Sequence, residues 1–324
     1  MVKILDSTLR EGEQTAGVKF TKKQKIEIAK LLNDIGIDKI EVGHPVISPY
    51  DEDCVRSIGT LKLKCEVLAH ARAKIEDIDA VLRCNVKWIG IFMGINDISL
   101  KYKYNNIKKK EALKKIETAI SYSKKHNLKV RFTIEDATRT DIKDIKQIIK
   151  IGSEQGVDVI SIADTVGYMT PDGFFIFLEQ IKEFTEIPIE VHCHNDLGLA
   201  LANSLVAYQL GIDTIDVTIN GLGERAGLTS LSELCAVLKF KYNENKCDIR
   251  KLNHISNIVS KYTKIQMDKL RPIIGENAFT HTAKLHRKAV KKWPPTYELF
   301  NPLILGRKRV LYGENNNKGK QGKN

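Results

Sequence analysis

The feature that most constrains the fold of this chain is a regular alternation of short β-branched runs with longer amphipathic stretches. Runs such as Lys39 to Gly43 and Trp88 to Met93 have the length and composition of buried strands. Stretches such as Lys22 to Ile35 instead repeat their apolar residues with helical spacing. Units of this kind, repeated along the chain, predict parallel strands joined by helical crossovers.

Eight such units follow one another, and glycines mark several of the junctions. Gly36, Gly156 and Gly211 each stand between a predicted helix and the next predicted strand, where a left-handed residue ends many helices. The predicted strands are Lys3 to Ser7, Lys39 to Gly43, Cys65 to Ala69, Trp88 to Met93, Lys129 to Thr133, Val157 to Ala163, Pro188 to His192 and Thr214 to Thr218. The predicted helices include Lys22 to Ile35, Lys109 to His126, Ile142 to Gln155, Asp172 to Phe184 and Leu199 to Leu210.

Eight parallel strands can close into a barrel, and the sequence favours this α/β architecture, a (β/α)8 TIM barrel, over an open doubly wound sheet. The open sheet usually carries a Gly-rich phosphate loop after its first strand, whereas Asp6 to Gln14 contains no such loop. We assign the catalytic barrel to residues 1–245 and a short helical C-terminal extension, or lid subdomain, to residues 246–312. Residues 313–324 are polar and low in complexity, so we expect them to be disordered.

Composition narrows the functional classes. The formal net charge of +12 in 324 residues comes from lysines spread along the helices, without the basic stripe that nucleic-acid recognition needs. We therefore expect no nucleic-acid partner, although a basic surface would attract anionic small molecules. Six scattered cysteines without a C-x-x-C pair indicate reduced thiols. No apolar run approaches the roughly 20 residues of a membrane span, so we expect no membrane partner. The sequence enters a predicted strand at Val2 without a charged leader, so we expect a cytoplasmic protein.

Polar residues follow the predicted strands at the points where the strands end. In a parallel barrel these ends meet at one mouth, where the chemistry of such barrels takes place. The polar segments are Asp6 to Gln14 after strand one, Glu41 and His44 after two, His70 and Arg72 after three, Arg131 to Arg139 in and after five, Ala163 to Thr165 after six, Glu190 to Asp196 in and after seven, and Thr218 to Gly227 after eight.

Two histidines and a carboxylate form the strongest candidate site. His192 and His194 stand two residues apart at a predicted strand end, so both imidazoles face the same side. Glu11 or Asp6 in the first loop would complete a metal site with open positions, and Asn220 would add a neutral oxygen. This set of nitrogen and oxygen ligands suits Mg, Mn, Co, Zn or Fe(II). A purely structural histidine pair is the alternative, but the position at a barrel-strand end favours the metal.

Two further motifs have both a functional and a structural interpretation. Arg10 either forms an ion pair with Glu11 or donates to the oxygen on which charge develops as a carbonyl becomes an alkoxide. The loop from Gly221 to Gly227 either offers backbone N–H groups to a phosphate or carboxylate or is an ordinary turn.

Three motifs carry a resemblance to a known family. DSTLREGEQ with the following Ala16 to Val18, and the block from EVHCHNDLGLALANS to TINGLGERAG, resemble the acyl-CoA-dependent Claisen condensing enzymes of the homocitrate synthase and 2-isopropylmalate synthase family. ENAFTHTAKLH, residues 276–286, adds a weaker match, and the resemblance runs from Val2 to about Arg309. The resemblance implies a TIM-barrel acyltransferase that joins acetyl-CoA to a 2-oxo acid, uses a divalent metal (Mg, Mn, Zn or Co) and forms a homodimer.

The resemblance also implies roles for individual residues. It implies Arg10 at the ketone oxygen of the 2-oxo acid, His286 as the base that takes a proton from the acetyl methyl group, and Tyr297 as its assistant. It implies Glu11, His192 and His194 as metal ligands, with Asn220 near or in that set. The positions implied to contact the 2-oxo acid are Gln14, His70, Arg72, Arg131, Thr133 and Thr165, and those implied to lie near the acyl-CoA are Gly221, Gly223, Glu224 and Arg225.

The sequence departs from the family pattern at one position in the catalytic segment. Lys284 stands where the family usually has a glycine, two residues before His286, so the path of this segment is an open question. The chain also stops before the separate C-terminal amino-acid-binding domain of the leucine-regulated synthases. Feedback through such a domain is therefore not expected.

For the 2-oxo acid we favour 2-oxoglutarate, which would give homocitrate. His70, Arg72 and Arg131 place donors where a distal carboxylate would need them, although they would alternatively form salt bridges with Glu41, Glu135 or Asp136. A 2-isopropylmalate or citramalate synthase acting on 2-oxoisovalerate or pyruvate is the nearest alternative. A metal-dependent lyase or aldolase of the same barrel type, and a non-catalytic binding protein, are the others.

Overall fold

The computed structural model describes residues 2–313, and in it eight parallel strands close into a barrel. Each strand pairs with its neighbours in chain order, and the last strand pairs with the first through Lys3 opposite Thr214. The predicted TIM barrel is thus confirmed. The strands are β1 Lys3–Asp6, β2 Lys39–Glu41, β3 Glu66–Arg72, β4 Trp88–Met93, β5 Lys129–Ile134, β6 Val159–Asp164, β7 Ile189–Cys193 and β8 Thr214–Val217.

Within residues 2–313, an α-helix follows each of the eight barrel strands, and two more follow the barrel. The first begins at a capping box in which Thr21 and Gln24 each bond the other's backbone, and it ends at the left-handed Gly36. The helices are α1 Lys22–Ile35, α2 Pro49–Gly59, α3 Ile75–Leu82, α4 Lys109–Lys125, α5 Ile142–Gln155, α6 Pro171–Lys182, α7 Ala200–Gln209, α8 Leu231–Tyr242, α9 Leu252–Thr263 and α10 Lys284–Lys292.

The interior of the barrel is layered, and the layers determine where a ligand can bind. Leu5, Leu68, Trp88 and Val159 form an apolar layer toward the amino-terminal ends of the strands. The ammonium of Lys39 lies 3.3 Å from the centre of the Trp88 ring and covers this end. This layer fills part of the barrel interior, and a polar cavity lies at the carboxyl ends of the strands.

The segment after α9 adds a small sheet of its own. Two short strands, β9 Thr280–His281 and β10 Val310–Leu311, pair in parallel and flank α10. The expected disorder of the polar C-terminal residues falls almost wholly on residues 314–324, outside the described part of the chain. Within residues 2–313, no helix combines the length and the apolar character that crossing a membrane requires.

Candidate active site

A polar cavity of about 270 Å³, which we call the reaction cavity, opens at the carboxyl ends of the barrel strands. It brings together most of the residues predicted from the sequence as metal or substrate contacts. Those lining it are Arg10, Glu11, Gln14, His70, Arg131, Thr133, Thr165, His192, His194, Glu224 and Arg225.

Glu11, His192 and His194 converge on one point of this cavity. One ligand atom of each lies within 4.8 Å of the others, and all three side chains are buried. The two Nε2 atoms are 3.2 Å apart, close to the roughly 3 Å between neighbouring ligands of an ion with bonds of about 2.1 Å. Burial lowers the pKa of His192 to about 4 and that of His194 to about 3, which keeps both imidazoles in the neutral form that binds metals. These residues therefore fit a divalent cation.

Asp216 on β8 holds the ring of His192 from behind. Nδ1 of His192 lies 2.5 Å from one oxygen of Asp216, and the hydroxyl of Ser7 donates to the other at 2.7 Å. Burial, and then the charge of Glu41, raises the pKa of Asp216 to about 8. A cation held by His192 would oppose that shift by favouring the carboxylate. This contact leaves Nε2 as the ring nitrogen directed at His194.

Arg10 links the candidate metal ligands to a second buried carboxylate. Its guanidinium donates to Glu11 on one side and from Nε to Glu41 at 2.6 Å on the other. Burial alone would raise the pKa of both carboxyls. Burial is the largest single influence, but Arg10 and the other neighbours of each carboxylate together outweigh it, so the pKa of Glu11 is lowered and that of Glu41 falls well below its ordinary range. Both interpretations of Arg10 are compatible with this position, because an ion pair with Glu11 leaves it at the edge of the cavity.

Arg131, Glu41, Glu190 and His70 form a buried network deeper in the barrel. Arg131 donates to Glu41 at 2.6 Å and to Glu190 at 3.0 Å, while Nδ1 of His70 lies 2.8 Å from Glu41. Gly90 leaves room for the guanidinium, since a Cβ at that position would lie 2.7 Å from Nη2 of Arg131. Burial lowers the pKa of His70 to about 3, so its ring is neutral. The salt bridge between Arg131 and Glu41, one of the alternatives considered from the sequence, is therefore formed. Glu190 is a second partner of Arg131 that the sequence analysis did not consider.

Several buried polar atoms in the same cavity have no hydrogen-bond partner within residues 2–313. They include Nε of Arg131, Nδ1 of His194 and the hydroxyls of Thr133 and Ser161. Thr133 and Ser161 lie opposite each other where β5 pairs with β6. Both hydroxyl residues line the cavity. Unpartnered buried donors of this kind are costly unless a ligand or water satisfies them. This wall of the cavity is suited to accept a polar ligand group.

Gln14 and Thr165 both line the reaction cavity, and the side chain of each bonds one neighbouring residue. With its amide nitrogen turned inward, Gln14 donates to Glu11 at 2.7 Å. The hydroxyl of Thr165 accepts a bond from the backbone N–H of Asp136 at 2.8 Å. Thr165 thus retains its own hydroxyl proton for a ligand.

The Gly221 to Gly227 loop forms one rim, but most of its backbone N–H groups are occupied. Gly223 donates to Thr15 at 2.8 Å and Glu224 donates to Glu11 at 2.9 Å. Gly221, Leu222, Gly227 and Leu228 donate to backbone carbonyls of the same region. The loop therefore positions Glu11 and has little capacity left for wrapping a phosphate.

Arg72 and Asn220 turn away from the reaction cavity. Arg72 donates twice to Asp77 in the first turn of α3, at 2.8 and 2.9 Å, and it lines a neighbouring cavity instead. Asn220 exchanges two hydrogen bonds with Ser256 of α9, at 2.6 and 3.0 Å. The structure thus does not bring either side chain into the group formed by Glu11, His192 and His194.

His286 and Tyr297 pair with each other outside the lining of the reaction cavity. Their rings stack with centroids 3.8 Å apart and planes 20° from parallel. His286 lies in the first turn of α10, a helix that begins at Lys284, the residue where the family usually has glycine. The departure from the family pattern therefore lies at the first residue of a helix, and lysine has a higher helix propensity than glycine.

The sequence analysis assigned no role to several residues of this site. Asp216, Glu190 and Ser161 are all buried in barrel strands, and Phe92 stacks on His70 with ring centroids 4.6 Å apart. An acid in the middle of a predicted apolar strand, as in Thr214 to Thr218, is the signal that would have found Asp216.

Two family models match this chain. One described as HMGL-like covers residues 1–259, and one described as homocitrate synthase post-HMGL domain-like covers residues 273–322. A homocitrate synthase of Pyrococcus abyssi is 47% identical over 312 residues, which span 95% of this chain and 85% of the relative. A homocitrate synthase of Sulfolobus acidocaldarius is 44% identical over 313 residues, which span 95% of this chain and 67% of the relative.

Solved structures of more distant proteins share the barrel. An HMG-CoA lyase of Bacillus subtilis aligns with a TM-score of 0.74 at 21% identity, over 82% of this chain and 95% of that one. A hydroxymethylglutaryl-CoA lyase of Pseudomonas aeruginosa aligns with a TM-score of 0.73 at 20% identity, over 82% of this chain and 94% of that one. At these identities the likeness concerns the fold alone.

Proposed function

The chain belongs to the HMGL-like family and is similar there to homocitrate synthases. We propose that it condenses acetyl-CoA with 2-oxoglutarate to give homocitrate and CoA. One observation carries the choice of substrate. The reaction cavity has candidate metal ligands at one side and unpartnered donors of Arg131 and Thr133 at the other. A dicarboxylate would satisfy both sides, whereas an apolar 2-oxo acid would leave the second side unpaired.

Glu11, His192 and His194 would hold a divalent cation, for which Mg, Mn, Zn and Co are the candidates. Such an ion would supply Lewis acidity at the ketone and orient the 2-oxo acid. Arg10, fixed between two carboxylates, would donate to the ketone oxygen as negative charge develops there. Gln14 lines the same cavity beside Glu11.

At the other side, the protein would recognise the distal carboxylate of 2-oxoglutarate. Nδ1 of His70 is engaged by Glu41, which leaves Nε2 as the ring nitrogen available to a ligand. The hydroxyls of Thr133 and Ser161 and Nε of Arg131 are the other available groups. Thr165 would bond the carboxylate next to the ketone. Hydrogen bonds to a charged group in a buried site are the strongest class available for this discrimination.

His286, paired with Tyr297, would remove a proton from the methyl group of acetyl-CoA. The resulting carbon nucleophile forms a bond to the ketone carbon, and the alkoxide takes up a proton. Water then cleaves the thioester, which yields a carboxylate and free CoA and makes the reaction irreversible. Because neither ring lines the reaction cavity, the segment that carries them would have to approach the mouth during turnover. A homodimer and a cytoplasmic location also belong to this proposal.

A thiol-release assay tests the function directly. The metal-loaded protein is given acetyl-CoA together with 2-oxoglutarate, 2-oxoisovalerate, pyruvate or oxaloacetate, and free CoA is followed over time. We expect the largest kcat/KM with 2-oxoglutarate. Release with none of the four acids would overturn the synthase proposal, and a clear preference for 2-oxoisovalerate or pyruvate would overturn the substrate. Cleavage of a 3-hydroxyacyl-CoA in parallel samples would favour a lyase.

A further inference from the structure

Neighbouring loops hold Thr165, the first residue after β6, at two different atoms. Its hydroxyl oxygen accepts a bond of 2.8 Å from the backbone N–H of Asp136, in the loop after β5. Its carbonyl oxygen accepts a bond of 2.6 Å from Nη2 of Arg225, in the loop after β8. Both bonds are formed within the protein, so the orientation of Thr165 at the wall of the reaction cavity does not depend on a ligand.

The two residues that hold Thr165 share an uncommon backbone conformation. Asp136 has a φ of 56° and Arg225 has a φ of 55°, in the left-handed region that glycine favours. An aspartate tolerates this region better than most residues do, whereas an arginine has no such tolerance. Residues held in such conformations cluster at ligand-binding and catalytic sites, where the surrounding structure fixes them. The presence of two of them on either side of Thr165 points to a function for their contacts with it.

Asp136 is itself fixed from several directions. Its carboxylate accepts a bond of 2.6 Å from Asn96 and three bonds, of 2.8, 2.9 and 3.2 Å, from Arg139. Its carbonyl accepts a bond of 2.8 Å from the hydroxyl of Thr140. The residue as a whole is only 3% exposed. The backbone N–H that points at Thr165 therefore has a fixed direction.

Arg225 is anchored on the other side of Thr165. It donates two bonds, of 2.8 and 3.0 Å, to the carboxylate of Asp196 in the loop after β7. Gly167 lets the loops after β6 and β7 approach each other, because a Cβ at that position would lie 2.8 Å from the backbone nitrogen of Asp196. The contacts of Arg225 thus join three consecutive loops at the mouth of the barrel.

These contacts limit what the hydroxyl of Thr165 can do. A hydroxyl has one proton to donate and two lone pairs that accept, and without a fixed partner it rotates to suit its surroundings. Because the N–H of Asp136 already points at the oxygen, the proton of Thr165 is directed away from Asp136. Thr165 lines the reaction cavity and so presents a donor to a ligand there. An ionised carboxylate, which only accepts, is the ligand group that matches a fixed donor.

We propose that Asp136 and Arg225 are positioning residues that hold the hydroxyl of Thr165 as a donor to the carboxylate next to the ketone of the 2-oxo acid. This inference rests on the proposed function, which assigns that carboxylate to Thr165. Every 2-oxo acid has this carboxylate, so the contribution to affinity would be the same for 2-oxoglutarate and for pyruvate. Within residues 2–313, Asp136 lies outside the lining of the reaction cavity, so it would act on the substrate through Thr165.

A double-mutant cycle separates this role from a general effect on the fold. Asp136→Asn keeps the size and the left-handed tolerance of the side chain but replaces the carboxylate that Asn96 and Arg139 hold, and Thr165→Val removes the hydroxyl. Isothermal titration of the metal-loaded protein with 2-oxoglutarate, without acetyl-CoA, measures Kd for the parent, the two single variants and the double variant. We expect Asp136→Asn to raise Kd about fivefold, the loss expected when one hydrogen bond is weakened. In the Thr165→Val background the same change should leave Kd unaltered.

Further variants make the cycle robust. Arg139→Gln removes three bonds to the Asp136 carboxylate from an exposed position, and it should raise Kd in the same way if Asp136→Asn does not fold. Arg225→Gln enters the same cycle, because this arginine lines the cavity and a direct contact with the acid would persist in the Thr165→Val background. Lys143→Ala, an exposed lysine in the first turn of α5, is the control and should match the parent. Metal content should be the same in all of these proteins.

An equal loss of affinity with and without the Thr165 hydroxyl would overturn the inference, and so would an unchanged Kd in both Asp136→Asn and Arg139→Gln. Because titration requires no turnover, it separates this result from the fate of the proposed function. A loss that depends on the hydroxyl, and that is the same factor for pyruvate, supports the positioning role even if no CoA is released. A loss independent of the hydroxyl overturns it even in an active synthase. A parent protein that binds neither acid would overturn both proposals.

Discussion

Nδ1 of His192 lies 2.5 Å from Oδ2 of Asp216, although the two residues are 24 positions apart on neighbouring strands β7 and β8. A carboxylate behind a metal-binding histidine sets the orientation of the ring and directs the opposite nitrogen at the ion. The second oxygen of Asp216 is itself held by Ser7 on the first loop. Three separate parts of the chain therefore determine the direction of one ligand atom.

The first prediction concerns this contact. Asp216→Asn keeps the size of the side chain but removes the carboxylate that a cation held by His192 would favour, so we expect the affinity for a divalent metal to fall about 10–100-fold. Isothermal titration of the metal-free protein with Mn²⁺ or Zn²⁺ measures the change. Ser7→Ala is the matched control, because it removes the other hydrogen bond of the same carboxylate and should have a smaller effect. Wild-type affinity in the Asp216→Asn variant would contradict the orienting role.

The second prediction concerns the ligands themselves. His194→Ala removes one of three converging ligand atoms, and we expect it to abolish both metal retention and CoA release. Metal content after gel filtration and the thiol-release assay measure the two effects. His254→Ala, which changes an exposed histidine of α9, controls for the loss of an imidazole elsewhere. Full activity in the His194 variant would exclude the metal site.

Local sequence signals account well for those helices whose ends carry them. The predicted bounds of α1 and α5 agree with the structure, because Thr21 and Asp141 cap their starts and Gly36 and Gly156 end them in the left-handed conformation. By contrast, α3 begins after Lys74, whose side chain makes no capping bond, and the sequence marks its start poorly. His70 and Arg131 were likewise placed at the mouth of the barrel because they stand in or directly after predicted strands.

Long-range contacts explain the parts of the site that local patterns could not predict. Arg72 shares the alternation of His70, but Asp77 on the next helix offers it two carboxylate oxygens and turns it aside. Asn220 has a backbone φ of 61°, and its side chain accepts a hydrogen bond from the hydroxyl of Ser256, 36 residues later. Neither contact is visible in the motif that contains the residue. Glycine spacing likewise does not show which N–H groups of the Gly221 to Gly227 loop are occupied.

The third prediction concerns the pH dependence of the C-terminal segment. Glu298, with a side chain only 3% exposed, accepts two bonds of 2.6 Å from Arg309 and lies 3.1 Å from His281. Arg309 lowers the pKa of Glu298 below its ordinary 4.5. A lowered carboxyl pKa stabilises the folded form above that ordinary value, and the stabilisation is lost as the pH falls through the folded pKa.

We therefore expect residues 280–312 to lose protection from amide exchange as the pH falls below 4.5 toward the folded pKa of Glu298, before the barrel does. The N–H of Tyr312, which donates to His281, is a suitable reporter. Glu298→Gln should reduce stability at neutral pH by about 1–3 kcal/mol and should remove this pH dependence. Glu276→Gln changes an exposed glutamate four residues before this segment and should leave both unaltered. An identical pH profile in the Glu298 variant would refute the assignment.

The last prediction separates the base from the metal site. His286→Ala removes the proposed proton acceptor, and we expect kcat to fall about 10²–10⁴-fold, the usual contribution of general-base catalysis. Tyr297→Phe keeps the stacked ring and removes only the hydroxyl, so its effect on kcat should be smaller. Because the pair lies outside the lining of the reaction cavity, neither variant should alter metal content or the binding of 2-oxoglutarate. Lys288→Ala, exposed on the same helix, is the control for helix α10 itself. Loss of metal in the His286 variant would show that His286 has a structural role. An unchanged kcat with acetyl-CoA would instead exclude His286 as the base and require a base within the reaction cavity.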